Sequence, residues 1–137
     1  WKDAGATFAV LSTQTAHWSK DEAVTVMSAF LTKYPNIDAV MASDDGMGLG
    51  ALQAIQAAGK QAQIKVFGVG GFKQACQDIK DGTYAGTALQ LSYMIGVYTV
   101  RAAYDLSKAR LVPAQILTPT APVTKDNIDT WISQCAL

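Results

Sequence analysis

The order of apolar and polar residues along the chain predicts short strands that alternate with helices. Residues 7–11 form a short apolar run between a glycine and a polar stretch, which is typical of a buried strand. A helix is predicted to begin at Ser19, because Ser19 and Glu22 have the spacing of a capping box. Apolar residues then recur at helical spacing as far as Tyr34, and Pro35 ends the helix.

The same alternation continues to the end of the chain. After the first strand and helix, the pattern predicts strands at residues 37–42, 64–69, 83–89 and 115–117. It predicts helices from the Asp44-Asp45 pair to Gly59, over residues 72–80 and over residues 94–109, followed by a short C-terminal helix that carries Trp131. Pro119 and Pro122 are expected to break regular structure.

Strands that alternate with helices in this way favour parallel βαβ units. The predicted fold class is therefore α/β, a doubly wound parallel sheet with helices on both faces. In such sheets ligands bind beyond the carboxyl ends of the strands, so binding residues are expected in the loops at residues 12–18, 43–46, 68–71 and 90–93.

Composition narrows the classes of function. The chain of 137 residues has 11 basic and 11 acidic side chains and a formal net charge of zero, which gives no support to nucleic-acid or anionic-membrane binding. No apolar run approaches the length of about 18 residues that a membrane-spanning helix needs. Because the sequence begins with Trp1 rather than Met, we expect that a signal peptide or a longer N-terminal portion has been removed.

The motifs for catalysis, nucleotides and metals are not met. The glycines of residues 68–71 follow a predicted strand, but the third glycine of a dinucleotide motif would fall on Lys73, and no Walker loop follows. The one histidine, His17, has no local nucleophile signature beside it, and one histidine with two distant cysteines does not make an ordinary zinc site. We therefore expect no enzyme activity, cofactor or metal.

Several polar and aromatic residues in the predicted loops are candidates for binding. Trp18 either stacks on the C–H face of a sugar or acts as a hydrophobic staple ahead of the helix. Of Asp44 and Asp45, one can cap the next helix while the other projects into the cleft, or both simply cap it. Gln90 is either an amide contact to ligand or a solvated rim residue, and His17 is either a loop residue or a polar ligand contact.

The two cysteines, Cys76 and Cys135, leave two alternatives open. They are either unpaired thiols or one disulfide, which would need an oxidising compartment. In the chain-entropy model a bridge over a loop of about 60 residues would stabilise the fold by about 4 kcal/mol.

Four stretches carry a resemblance to a known family: residues 34–60, from Tyr34-Pro-Asn through Ser-Asp-Asp-Gly-Met-Gly-Leu-Gly to Ala-Gly-Lys60; residues 64–71; residues 81–90; and the Val-Thr-Lys-Asp-Asn-Ile-Asp segment at 123–129. They resemble the second half of the type I periplasmic sugar-binding proteins, the ribose- and galactose-binding group, whose fold is shared by lac-repressor-type effector domains. The resemblance covers nearly the whole chain.

The resemblance implies one lobe of a two-lobed binding protein that closes on its ligand at a hinge. Residues 1–90 would be the C-terminal ligand-binding lobe, lacking its first strand and helix. Residues 91–118 would be a hinge crossover with a helix and strand that belong to the other lobe, and residues 119–137 would return to the first. The missing N-terminal half of the same protein is then an expected partner.

Site residues are implied by position. Trp18 matches the aromatic that stacks on the sugar, Lys20 a basic contact of the ribose type, and Gln90 an amide contact. Asp44 stands where the family has an asparagine contact. Gly70 stands where the family usually has an aspartate that grips two sugar hydroxyls, so a polyol, a modified sugar or a furanose-like molecule is expected in place of an ordinary pyranose.

The function that the resemblance implies is a periplasmic solute-binding protein of an ABC transporter. It would bind a sugar, polyol or related small carbohydrate and present its closed form to a membrane permease. The alternative is the effector-binding domain of a lac-repressor-type transcriptional regulator.

Overall fold

The computed structural model describes residue 5 and residues 7–135. In chain order the elements are α1 Lys20–Lys33, β1 Ala39–Met41, α2 Asp45–Ala57, β2 Lys65–Gly70, α3 Lys73–Asp81, β3 Gly86–Gln90, α4 Ser92–Ser107, β4 Thr120–Thr124 and α5 Ile128–Trp131, followed by a 3-10 helix at Ile132–Gln134. None of the helices in this part of the chain combines the length and the apolar character that crossing a membrane requires.

The four strands form one sheet in the order β1-β2-β3-β4. β1, β2 and β3 run parallel, with Val40 opposite Val66 and Val69 opposite Ala88. β4 is antiparallel to β3 and places Gln90 opposite Thr120. The predicted α/β class with a mainly parallel sheet is confirmed, and the antiparallel last strand is an addition that the alternation of elements did not indicate.

Local signals explain the first two helices. The Ser19 hydroxyl accepts a hydrogen bond from the Glu22 amide at 3.3 Å, which is half of the predicted capping box. α1 buries Ala23 and Met27 and packs along α2. α2 in turn contacts β2, and α3 contacts β3. α2 and α3 therefore cover the strands next to them, and α1 covers α2.

One hydrophobic core joins α1, α2, β2, α3, β3 and the C-terminal segment that contains β4 and α5. The side chains that are fully or almost fully buried in it are Met27, Leu52, Ile55, Ile64, Val66, Ile79, Leu89, Val123 and Ile128. The C-terminal segment is also linked covalently to α3, because Cys76 of α3 forms a disulfide with Cys135. Of the two alternatives for the cysteines, the structure contains the bridge.

The strand predicted at residues 7–11 is wrong. These residues form no strand, and the side chains of Phe8, Val10 and Leu11 are exposed. β1 lies at the edge of the described sheet, and no neighbouring strand is available within the described residues for residues 7–11 to pair with. An apolar run signals burial, but a strand also needs a hydrogen-bonding partner.

The strand predicted at residues 115–117 is also wrong, because the strand lies a few residues later at β4. Pro122 does not break regular structure as expected, and lies within β4 opposite Ala88. β4 is an edge strand of the described sheet, where a proline nitrogen facing away from the ladder breaks no hydrogen bond.

α4 differs from the other long helices because none of its residues is buried. Large apolar side chains are exposed on more than one side of it, among them Tyr93, Val97, Val100, Tyr104 and Leu106. The segment that follows it adds Leu111, Ile116 and Leu117, also exposed. Within the described residues, α4 therefore lies outside the core.

Candidate functional site

Chemically useful groups converge at the carboxyl edge of the sheet. β1 leads through Ala42 and Ser43 to Asp44, β2 ends at Gly70, and β3 ends at Gln90. Because the three strands are parallel and adjacent, their carboxyl ends lie at one edge. The structure therefore brings Asp44, Gly70 and Gln90 together on the edge that the sequence predicted. The Gln90 side chain is exposed there.

His17 and Trp18 lie in the turn that precedes α1, and Lys20 is the first residue of α1. The backbone carbonyl of Lys20 contacts Gly50 of α2 closely. Gly50 is five residues into α2, about 7.5 Å along the axis from its start at the carboxyl edge. The start of α1 therefore lies close to the edge that carries Asp44.

The side chains of this turn differ in their surroundings. Trp18 is 73% exposed, so its ring is not packed as a hydrophobic staple. Its φ is +61°, and the φ of His17 is +47°, so two non-glycine residues hold the left-handed conformation in sequence. The imidazole Nδ1 of His17 lies 2.6 Å from Glu22 Oε2, an exposed pair that gives this histidine a partner on α1. Lys20 is exposed.

Asp44 and Asp45 divide their roles, but differently from the expectation. Asp44 is half-buried and caps α2, because its Oδ1 accepts a hydrogen bond from the Met47 amide at 2.6 Å. Its Oδ2 accepts no hydrogen bond from the described residues. Asp45 does not project into the cleft. It is completely buried.

The buried Asp45 carboxylate links the start of α2 to the turn after β2 and to β3. Oδ2 accepts hydrogen bonds from the amides of Gly71 at 2.6 Å and Phe72 at 3.0 Å, and from the Thr87 hydroxyl at 2.9 Å. Oδ1 accepts one from the Tyr84 hydroxyl at 3.3 Å. The first residue of α2 thus holds the turn after β2, the approach to β3 and β3 itself. No buried side-chain nitrogen or oxygen of the described residues lacks a partner.

Gly68 provides the space for this network. A Cβ at Gly68 would collide with both the Tyr84 hydroxyl and Asp45 Oδ1. The absence of a side chain in the middle of β2 therefore lets the phenol and the carboxylate meet beneath the sheet edge. Burial raises the pKa of Tyr84 well above its ordinary value, and the negative charge of Asp45 adds to the rise.

This pKa shift predicts a loss of stability in alkali. Unfolded Tyr84 loses its proton near pH 10, whereas the folded residue keeps it, so the unfolded state binds fewer protons above that pH. We expect the free energy of unfolding to fall progressively as the pH rises above about 9, and to fall less steeply in Tyr84→Phe. Urea denaturation at several pH values measures both slopes, and equal slopes would contradict the prediction. Tyr104→Phe, at an exposed tyrosine, is the control.

The end of β2 carries an aromatic ring where a side chain of residue 70 would stand. Gly70 has φ +135°, in the region that favours glycine, and a Cβ there would lie 3.1 Å from two ring carbons of Phe72. Phe72 is half-buried and precedes α3 without a side-chain cap. The carboxyl edge therefore presents a carboxylate at β1, a ring at β2 and an amide at β3.

Sequence reasoning missed two residues of this edge, Asp45 as the buried anchor and Phe72 as the ring. The sequence does not distinguish between the two adjacent aspartates, because the one that is buried is the one whose side chain faces the turn after β2. The apolar spacing of α3 predicts Phe72 on the inner face of that helix, away from the edge. The glycines at 68, 70 and 71 were the available signal, because they indicate that neighbouring groups approach the end of β2 closely.

Comparison with known proteins identifies the family of the chain that carries this site. The family described as "periplasmic binding protein domain" matches residues 2–111. The chain belongs to the periplasmic binding protein family. Among curated relatives, the xylitol-binding protein of Mycolicibacterium smegmatis is 36% identical over 124 residues, which cover 90% of this chain and 35% of that protein. The ribose import binding protein of Salmonella typhimurium is 39% identical over 108 residues, covering 79% of this chain and 36% of that protein.

Solved structures of periplasmic binding proteins share the fold. The Caulobacter myo-inositol binding protein, bound to myo-inositol, matches with a TM-score of 0.86 and 28% identity over 97% of this chain and 47% of that one. A solute-binding protein of an ABC transporter from Bacillus halodurans, also with myo-inositol, matches with a TM-score of 0.85 and 28% identity, covering 92% and 44%. The resemblance expected from the sequence is confirmed. The chain spans about a third of the length of the curated relatives named above.

Proposed function

We propose that this chain is the C-terminal part of a periplasmic solute-binding protein that serves an ABC transporter, and that it binds a small sugar or polyol without catalysing a reaction. The observation that carries the proposal is the convergence of Asp44, Gln90 and the end of β2 on one sheet edge, close to the exposed Trp18. Relatives named for xylitol and ribose support this ligand class. Neither of these relatives is a transcriptional regulator, so uptake is favoured over regulation.

The exposed α4 supports a two-lobed organisation. We propose that residues 1–90 and 119–137 form one lobe, and that residues 91–118 cross to a second lobe formed by an N-terminal half of the same protein. The apolar side chains of α4 would then be covered by that half, because an exposed helix with apolar residues on several sides is otherwise unfavourable in water. Residues 90–92 would form the hinge between the lobes.

The chemistry of the edge suits a neutral polyhydroxylated ligand. A carboxylate oxygen at Asp44 accepts hydrogen bonds from hydroxyl groups, and the Gln90 amide both donates and accepts. Trp18 would stack on the C–H face of the ligand, with His17 and Lys20 as polar contacts nearby. Closure of the second lobe over this edge would bury the ligand and create the form that the membrane permease recognises.

An exported location follows from the same proposal. The disulfide between Cys76 and Cys135 suits an oxidising compartment such as the periplasm. A signal peptide removed ahead of the chain would deliver the protein there. Alkylation of free thiols in a periplasmic extract tests this: the full-length protein should incorporate label at these two cysteines only after reduction, and label without reduction would contradict the bridged, exported form.

The exposed tryptophan gives the direct test of binding. In the full-length gene product, we expect Trp18→Ala to weaken binding of the sugar or polyol by about 1–3 kcal/mol, because the indole no longer covers the apolar face of the ligand. Trp18→Phe should keep most of the affinity. Isothermal titration calorimetry with xylitol, D-ribose, D-allose and myo-inositol measures this. Because the ring is 73% exposed in this lobe, thermal stability without ligand should not change. Unchanged affinity in Trp18→Ala would remove Trp18 from the site.

A further inference from the structure

The ring of Phe72 occupies the place at the end of β2 from which a side chain of residue 70 would reach the ligand. A Cβ on Gly70 would lie 3.1 Å from Phe72 Cδ1 and Cε1, and 3.5 Å from Asp45 Oδ2. Its φ of +135° disfavours any side chain as well. A side chain at position 70 would therefore be strained and would require the ring to shift by a few tenths of an ångström, and this point of the edge is apolar.

The buried carboxylate holds the backbone that carries the ring. The Phe72 amide donates to Asp45 Oδ2 at 3.0 Å, next to the shorter bond from Gly71. The other side of the ring faces the start of α2. A Cβ on Gly46 would lie 3.5 Å from Phe72 Cε2 and 3.4 Å from Asp44 Oδ1. The ring and the Asp44 carboxylate are thus neighbours above the same sheet edge.

We infer that Phe72 determines specificity at the proposed carbohydrate site by selecting a ligand that presents a carbon without a hydroxyl beside a hydroxyl bound by Asp44. The inference rests on the proposed function. A hydroxyl buried against the ring would lose its hydrogen bonds to water, which costs free energy, whereas a methyl or methylene group gains from burial there. The ligand class is therefore a monodeoxy sugar or a deoxygenated polyol.

Matched ligands test the inference in the full-length gene product. The tightest ligand among xylitol, D-ribose, D-allose and myo-inositol is identified by calorimetry and then compared with each of its monodeoxy derivatives. We expect one derivative to bind at least about tenfold more tightly than its parent. Phe72→Leu should keep this preference because the surface stays apolar, and Phe72→Thr should reverse it because the new hydroxyl pairs with the ligand's own.

A second phenylalanine provides the control. Phe30 is also half-buried but lies near the C-terminal end of α1, far along the helix from the site, so Phe30→Leu should leave the ratio of affinities unchanged. The inference is overturned if every monodeoxy derivative binds more weakly than its parent, or if Phe72→Thr keeps the wild-type ratio while Trp18→Ala still weakens binding. In both cases the proposed function stands. If neither the four parent ligands nor any of their monodeoxy derivatives binds, the proposed function itself fails, and the inference fails with it.

Discussion

Asp45→Ala is expected to lower the free energy of unfolding by about 3–5 kcal/mol, the range for removing one member of a buried charged network. The substitution leaves the amides of Gly71 and Phe72 and the Thr87 hydroxyl without their shared acceptor in a site closed to water. Hydrogen bonds to a charged group contribute about 1.5–3 kcal/mol each, so the removal of several has a large effect. Asp45→Asn should cost less, because its carbonyl oxygen can accept the three bonds of Oδ2 while the Tyr84 hydroxyl rotates to accept from the new amide.

The neighbouring aspartate is the matched control. Asp44→Asn should be nearly neutral, because asparagine caps a helix as well as aspartate, and Asp44→Ala should cost about 1 kcal/mol because the bond from the Met47 amide is removed. Urea denaturation followed by circular dichroism gives all four values. If Asp45→Ala were no more destabilising than Asp44→Ala, Asp45 would not anchor the turn after β2.

The disulfide is expected to have an effect of similar size. It closes a sequence separation of 59 residues, and in the chain-entropy model its removal destabilises the fold by about 4 kcal/mol. Cys76 is completely buried, so the double variant Cys76→Ala with Cys135→Ala tests the bond without leaving a buried hydroxyl. Urea denaturation of the oxidised wild type, the reduced wild type and the double variant measures the difference.

The place of the bond suggests which part of the protein it protects. Cys135 follows α5 and the 3-10 helix, so the bond holds β4 and α5 against α3 after the chain has passed through the exposed α4. Reduction should therefore speed hydrogen exchange of amides in residues 120–135 more than in α1 and α2. Equal stability of the oxidised and reduced forms, with unchanged exchange in this segment, would contradict a stabilising role.

Sequence patterns predicted the elements whose signals are local. α1 follows from its capping box and apolar spacing, and α2 from the acidic residue at its start, and both lie within a few residues of the expected bounds. β2 and β3 follow from buried apolar runs. By contrast, a strand at residues 7–11 depends on a neighbouring strand, which the pattern of the segment itself cannot indicate. The position of β4 was not predicted because proline normally indicates a break, although an edge strand tolerates it.

For the candidate site, the sequence predicted the edge of the sheet at which the residues lie, but not the roles of Asp45 and Phe72. Loops after parallel strands lie at one edge in every sheet of this class, so the order of elements alone predicts that Asp44, Gly70 and Gln90 lie together. The choice between Asp44 and Asp45 for the interior was not predictable, because it depends on the direction in which α2 starts over the turn after β2. Phe72 was missed because its backbone is fixed by a hydrogen bond to that same carboxylate, 27 residues away in sequence.

Hydrogen–deuterium exchange of the full-length protein, with and without the tightest of the four parent ligands, tests the location of the site most directly. We predict ligand-dependent protection of amides in residues 12–18, 42–47, 70–73 and 90–92, at the carboxyl edge of the sheet. Protection confined to other parts of this chain, with these four segments unchanged, would contradict a binding site at that edge.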